Sequence, residues 1–123
     1  MREVGGYREG ERLGQRFGSI VVEIAKLRDY CLSDSHPRGR HKARVFRSRL
    51  GLTANDTEFL QRALLDAARD WQDDLQPTEA DEYGQRYVLD FPMTTLAGAG
   101  TVRSAWIVLA GQDVLRLTSC YVL

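Results

Sequence analysis

The chain has little cysteine, no net charge and no long apolar run, and each lack removes a class of function. Its two cysteines among 123 residues, Cys31 and Cys120, stand in neither a Cys-x-x-Cys nor a Cys/His ligand spacing, so no structural metal site is expected. One disulfide is open to them, but a pair of buried reduced thiols is the expectation. No apolar stretch reaches the ~18–20 residues a membrane helix requires, and no membrane partner is expected. The N-terminus, Met1-Arg-Glu-Val-Gly-Gly-Tyr-Arg-Glu-Gly-Glu-Arg, carries both charge signs without an apolar segment of signal-peptide length, so the expected location is the cytoplasm. Seventeen Lys/Arg balance seventeen Asp/Glu, which argues against a general DNA binder driven by counterion release. Neither Gly-x-Ser-x-Gly nor His-Glu-x-x-His is present, and no Gly-Lys-Ser/Thr follows Gly98-Ala-Gly100. Nucleophile-elbow, zincin and phosphate-loop chemistry are thereby set aside, and no cofactor is expected.

What the chain does have is uneven charge. The first fifty residues hold twelve Lys/Arg against six Asp/Glu, and from His36 to Arg49 there are six Lys/Arg, two His and no acid. From Thr53 to Glu82 the balance inverts, with nine acids against Arg62 and Arg69. A local basic patch in a neutral chain points to a localised phosphate site or to an internal acidic partner.

The pattern predicts an α+β domain, with N-terminal helices packed on one face of a C-terminal antiparallel sheet of three to four strands. Residues 1–19, rich in Gly and mixed charge, read as a flexible arm, and 20–123 as a single domain. Ile20–Ile24 suits a short strand; Ile24, Leu27, Tyr30 and Cys31 then follow helical spacing, and Ser33–Gly39 breaks it. A helix is expected over Arg40–Leu50, stopped by Gly51, and a second from Ala54 to about Trp71 behind a Thr53/Asp56 capping box. The acidic stretch Gln72–Gly84 reads as a solvated loop.

Strands are expected at Gln85–Phe91, Thr101–Leu109 and Val114–Leu123, joined by a Gly-rich loop over Pro92–Gly100 and a tight turn at Gly111-Gln112. Alternation puts Tyr87, Leu89, Phe91, Val102, Trp106, Val108, Leu115, Leu117, Tyr121 and Leu123 on the face beneath the helices. Arg86, Asp90, Thr101, Arg103, Arg116 and Thr118 fall on the other, among Val88, Ala105, Ile107 and Cys120.

The runs His41-Lys-Ala-Arg-Val-Phe, Tyr83-Gly-Gln-Arg-Tyr-Val-Leu-Asp-Phe, Val102-Arg-Ser-Ala-Trp-Ile-Val and Leu115-Arg-Leu-Thr-Ser-Cys-Tyr-Val resemble a family of small bacterial domains classed as of unknown function. The resemblance spans roughly Ala25 to Leu123 and implies toxin–antitoxin biology, with a cognate antitoxin or immunity protein as partner. In layout, helices before a strand meander with a His-Lys pair and an Arg-x-x-Trp strand, the chain is similar to the barnase–EndoU–colicin–RelE group of ribonuclease toxins. It departs from that group in its neutral charge and in having no Glu on the polar sheet face, so a Glu general base does not carry over. A likeness of layout alone does not carry function.

Metal-free RNA cleavage needs a base, an acid and cations on the phosphoryl oxygens. His41 at a helix start is the candidate general acid or base, with Arg103, Arg86 and Thr118 as phosphate contacts and Lys42, Arg44 and Arg40 as further substrate-binding cations. The structural alternatives are a solvated basic helix face and an Arg103–Asp90 salt bridge. His36, before Pro37, reads as turn chemistry. The function this composes is a toxin-like, metal-independent ribonuclease acting on RNA. The rival from another class is an immunity- or adaptor-like interaction module, self-associating as a homodimer through its separated charges.

Overall fold

The computed structural model describes residues 16–123; the greater part of the expected arm lies outside the described residues. Among the described residues, three α-helices, α1 (Ile24–Lys26), α2 (Arg40–Leu50) and α3 (Thr57–Asp70), accompany five strands: β1 (Ser19–Val21), β2 (Gln76–Ala80), β3 (Gly84–Thr95), β4 (Gly98–Leu109) and β5 (Val114–Val122). The sheet order is β1-β5-β4-β3-β2. Three pairings are antiparallel, and β1 runs parallel to β5 from Ser19↔Val114 to Val21↔Arg116. The fold is α+β as expected, but the sheet is five-stranded and mixed rather than antiparallel with three to four strands.

Strand β1 overlaps the short strand expected at Ile20–Ile24, whereas the unexpected strand residues lie in segments whose composition hid them. Gln76–Ala80 was expected as part of a solvated loop, and it is indeed exposed throughout. Among the described residues it pairs only with β3, and its register slips between Pro77 and Ala80. An edge strand satisfies one side of its ladder with solvent, so Pro and charge are tolerated there. The expected loop Pro92–Gly100 is likewise mostly strand. The β3–β4 register runs unbroken to Thr95↔Gly98, and only Leu96-Ala97 turns. Met93 is buried and continues the alternation of Leu89 and Phe91.

The helices follow their punctuation. At the end of α2, Gly51 adopts φ 69°; it donates to Arg47 O at 2.9 Å, and Leu52 donates to Phe46 O at 3.2 Å, the left-handed stop that glycine permits. Thr53 and Asp56 form the capping box, with Asp56 Oδ2 accepting from Thr53 N at 2.9 Å. Ala54–Asp56 is a single 3₁₀ turn, after which α3 presents Leu60, Leu64, Ala67 and Ala68 to the core. Trp71, expected at the end of that buried stripe, is 40% exposed because the chain leaves the helix there. The segment after α1 widens into a π turn over Leu27–Cys31, burying Leu27 and Cys31.

A bulge in β5 changes which side chains meet the helices. Ala105 pairs with Ser119, yet Trp106 pairs with Leu117, so Thr118 is the extra residue. Its Oγ1 donates to Ala105 O at 3.1 Å. One inserted residue inverts strand parity beyond it. Cys120 and Val122 therefore enter the core, and the expected inner residues Tyr121 and Leu123 do not. The core joins Phe46, Leu50, Leu60 and Leu64 from the helices to Leu89, Val102, Trp106, Leu115 and Leu117 from the sheet. Among the described residues no helix is long and apolar enough to cross a membrane.

Candidate functional site

The sheet's outer face carries the expected arginines, and most of them are engaged. Arg103 holds Asp90 through two parallel hydrogen bonds, Nε to Oδ1 and Nη2 to Oδ2, each 2.8 Å. The two residues are direct cross-strand partners, so the pair is set by register. Arg103 keeps Asp90 below the usual carboxylate range through that hydrogen bonding, against partial burial. A folded-state pKa lowered in this way contributes stability above the unfolded value, near pH 4, and loses it as pH falls through the folded value. Because both side chains are more than a third exposed, Asp90→Asn is expected to cost less than about 1 kcal/mol at pH 7. Denaturant unfolding should show that difference shrinking below pH 4.

Arg86 Nε lies 3.7 Å from Asp81 Oδ2 and 4.0 Å from Glu79 Oε1. It flanks Ile107 on one side, and Arg116 flanks it on the other. The Nε atoms of Arg86 and Arg116 are buried without a hydrogen-bond partner among the described residues. The face is thus a row of guanidinium groups laid on an apolar floor, with carboxylates already beside Arg103 and Arg86.

A different place collects unsatisfied positive charge. Among the described residues, strand β1 covers β5 only as far as Arg116. Past it, the π turn and the start of α2 stand beside the β5 edge, enclosing a groove of about 800 Å³. Lys42, Arg38 and Lys26 line it with His36 and Tyr30, and Thr118 and Ser119 supply its strand wall. Glu23 and Asp29 are its acids, and Asp29 is held by Arg28 at 2.9 and 3.0 Å. Helix α2 opens here with no acidic residue in its first turn and no side-chain cap, so its positive end adds to the field.

Lys42 is the organising side chain. It is half-buried; its Nζ donates to Ser119 Oγ at 3.3 Å and lies 5.5 and 5.1 Å from the ring centres of Tyr30 and Tyr121. Among the described residues no carboxylate is paired with it. An ammonium drawn out of water onto a hydroxyl and two aromatic faces keeps its full charge available to an anion.

His36 is the second. Its Nδ1 accepts from the backbone N–H of Arg38 (3.0 Å) and Gly39 (3.1 Å), which leaves Nε2 to carry the hydrogen. The ring stands edge-on to Tyr30, centroids 4.7 Å apart. The local turn that the His-Pro sequence suggested is therefore present, and the same turn places the imidazole in the groove wall.

Of the sequence-derived candidates, Lys42 and Thr118 meet in this groove. His41, Arg40 and Arg44 are exposed on α2 and do not line it. Arg103 and Arg86 lie on the outer face; Arg103 has as its cross-strand neighbour Tyr121, whose ring meets Lys42 of the groove. His36, Arg38, Lys26, Tyr30 and Ser119 were not selected by sequence reasoning, since their grouping depends on the bulge and on the π turn. A smaller cavity of about 280 Å³ lies across α2, where Arg47 faces Asp34 at 3.6 Å. Among the described residues no three His, Cys, Asp or Glu side chains converge as metal ligands would.

Helices, mixed sheet and groove define an α+β domain with a cationic site beside the β5 edge. Residues 12–123 match the family described as Domain of unknown function (DUF6883), and the chain belongs to that family. The resemblance to a family of unknown function thus holds over nearly the whole chain. No curated protein matches it.

Proposed function

We propose that this domain is a toxin-like ribonuclease that holds single-stranded RNA in the groove beside β5. The observation that carries the reading is Lys42: half-buried, set on Ser119, Tyr30 and Tyr121, and without a carboxylate partner among the described residues. RNA matches this chemistry, because its phosphates meet the ammonium and its bases can stack on an exposed aromatic edge. In this reading Lys42 and Arg38 take the clamping role expected of Arg103 and Arg86, which already face carboxylates.

The chemistry is transesterification without a metal. A base removes the proton of the 2′-hydroxyl, the freed oxygen attacks the adjacent phosphorus, and the P–O5′ bond breaks as an acid protonates the leaving oxygen. His36 in the groove wall and His41 at the helix start are the two imidazoles available for these roles. A bacterial, cytoplasmic setting and a cognate antitoxin or immunity protein belong to the same reading.

The test is incubation of purified protein with end-labelled single-stranded RNA in the presence of a chelator. Cleavage to 2′,3′-cyclic phosphate ends is expected, and His36→Ala should reduce its rate by about 10²-fold or more. Intact RNA from well-folded protein would reject the enzymatic reading. That outcome favours the interaction module, which draws its own support from the outer face. There Arg103 and Asp90 form a closed pair, and elsewhere Phe59, Tyr83 and Leu96 are left exposed.

A further inference from the structure

We infer that the pocket where β1, α1 and β5 meet holds a terminal phosphate, so that the preferred ligand is an RNA end bearing a phosphomonoester. The inference rests on the reading that single-stranded RNA occupies the groove, and it names which part of the strand is bound beside it. The pocket has a volume of about 220 Å³, and its walls include Val21, Ile107, Arg116, Lys26, Glu23 and Thr118. Lys26, Glu23 and Thr118 also line the groove, so the two spaces adjoin.

Register builds this pocket. Arg116 is the cross-strand partner of Val21 in β1 and of Ile107 in β4, which sets its side chain beside two apolar ones on the same face. Ile107 is buried although it belongs to the outer face. The bulged Thr118 has its hydroxyl committed to Ala105 O at 3.1 Å, so it serves as wall, and an incoming anion meets the two cations.

Those cations are unmatched. Arg86 and Arg116 flank Ile107 in one row, yet only Arg86 has carboxylates beside it, at 3.7 and 4.0 Å. Among the described residues neither Arg116 nor Lys26 has an ion-pair partner, and Glu23, though it lines the pocket, is in ion-pair contact with neither. Arg116 Nε is also buried without a hydrogen-bond partner. A guanidinium set on apolar walls with its polar demand unmet keeps its charge for an anion.

The charge selects the ligand. A backbone phosphodiester carries one negative charge and continues into a nucleotide on either side. A terminal phosphomonoester carries about −1.5 to −2 near pH 7 and continues on one side only. Two cations in a small pocket that opens beside a larger groove match the terminal group, and the apolar walls strengthen the attraction. The same chemistry exists at a 5′ and at a 3′ end. Anchored there, the strand enters the groove in one register.

The experiment measures binding of one short RNA, 2′-O-methylated so that it is not cut, to the full-length protein. The strand is supplied with a 5′ phosphate, with a 3′ phosphate, or with hydroxyls at both ends. A phosphate at one end is expected to tighten binding by about tenfold over the hydroxyl form, and the end that does so identifies the source. Arg116→Met, and separately Lys26→Met at an exposed position, should cut that ratio to less than about threefold. Equal affinity of wild-type protein for the three strands overturns the terminal-phosphate site while leaving the groove reading in place. An undiminished ratio in both variants overturns it too, and absence of binding by every strand overturns both readings.

Discussion

Trp106→Ala is expected to destabilise the domain by about 3–5 kcal/mol. Trp106 lies in the central strand β4, is 1% exposed, and heads the fully buried side chains by volume. Its removal takes away a large transfer term and leaves a cavity between sheet and helices that rigid neighbours fill only in part. A polar term adds to this. Trp106 Nε1 donates to Ser104 Oγ at 2.8 Å, and Ser104 donates to Leu89 O at 2.7 Å, both out of contact with water. Truncation leaves the Ser104 oxygen with an unmet acceptor, whereas the hydroxyl keeps its own donation to Leu89. Against a total stability of about 5–15 kcal/mol for a domain, this loss approaches unfolding. Urea titration measures it directly; a loss under about 1 kcal/mol would mean that Trp106 is not the centre of the core.

The second large effect is on binding. Lys42→Met keeps the length of the stem and its contacts with Tyr30 and Tyr121 while removing the charge. It is expected to weaken binding of a short single-stranded RNA by about tenfold or more, equivalent to about 1.4 kcal/mol, and to flatten the salt dependence by roughly one counterion. Arg44→Met removes a charge only two residues away, on an exposed position outside the groove. It should change affinity by less than about threefold, the scale of a screened surface contact. Equal losses for the two variants would point to diffuse attraction by the basic helix rather than to a built site.

The contrast between these neighbours shows where the sequence was legible. Helix α2, its glycine stop and the Thr53/Asp56 capping box were readable because each rests on contacts a few residues apart. The Arg103–Asp90 alternative was readable too, since period-two alternation put both side chains on the same face of neighbouring strands. Edge strand β2 was missed because charge and Pro are tolerated where only one side is paired. The groove was missed for a different reason. Thr118 gives no local sign that it is a bulge, and that one insertion decides that Cys120 turns inward to the core while Tyr121 turns out toward Lys42. His36 carried the right local signal, a turn before Pro37, but nothing local says that a turn faces a site. Residue types near the site were therefore visible, while their assembly depends on contacts such as Lys42 with Ser119, 77 positions apart.

The most direct test of the account is a titration of isotope-labelled protein with a short single-stranded RNA, followed by amide chemical shifts. The account expects perturbations concentrated at Lys26, Tyr30, His36, Lys42, Thr118 and Ser119, and weakened by salt. Shifts confined to Arg86, Arg103 and Arg116 on the outer face, or no saturable shifts at all, would contradict it.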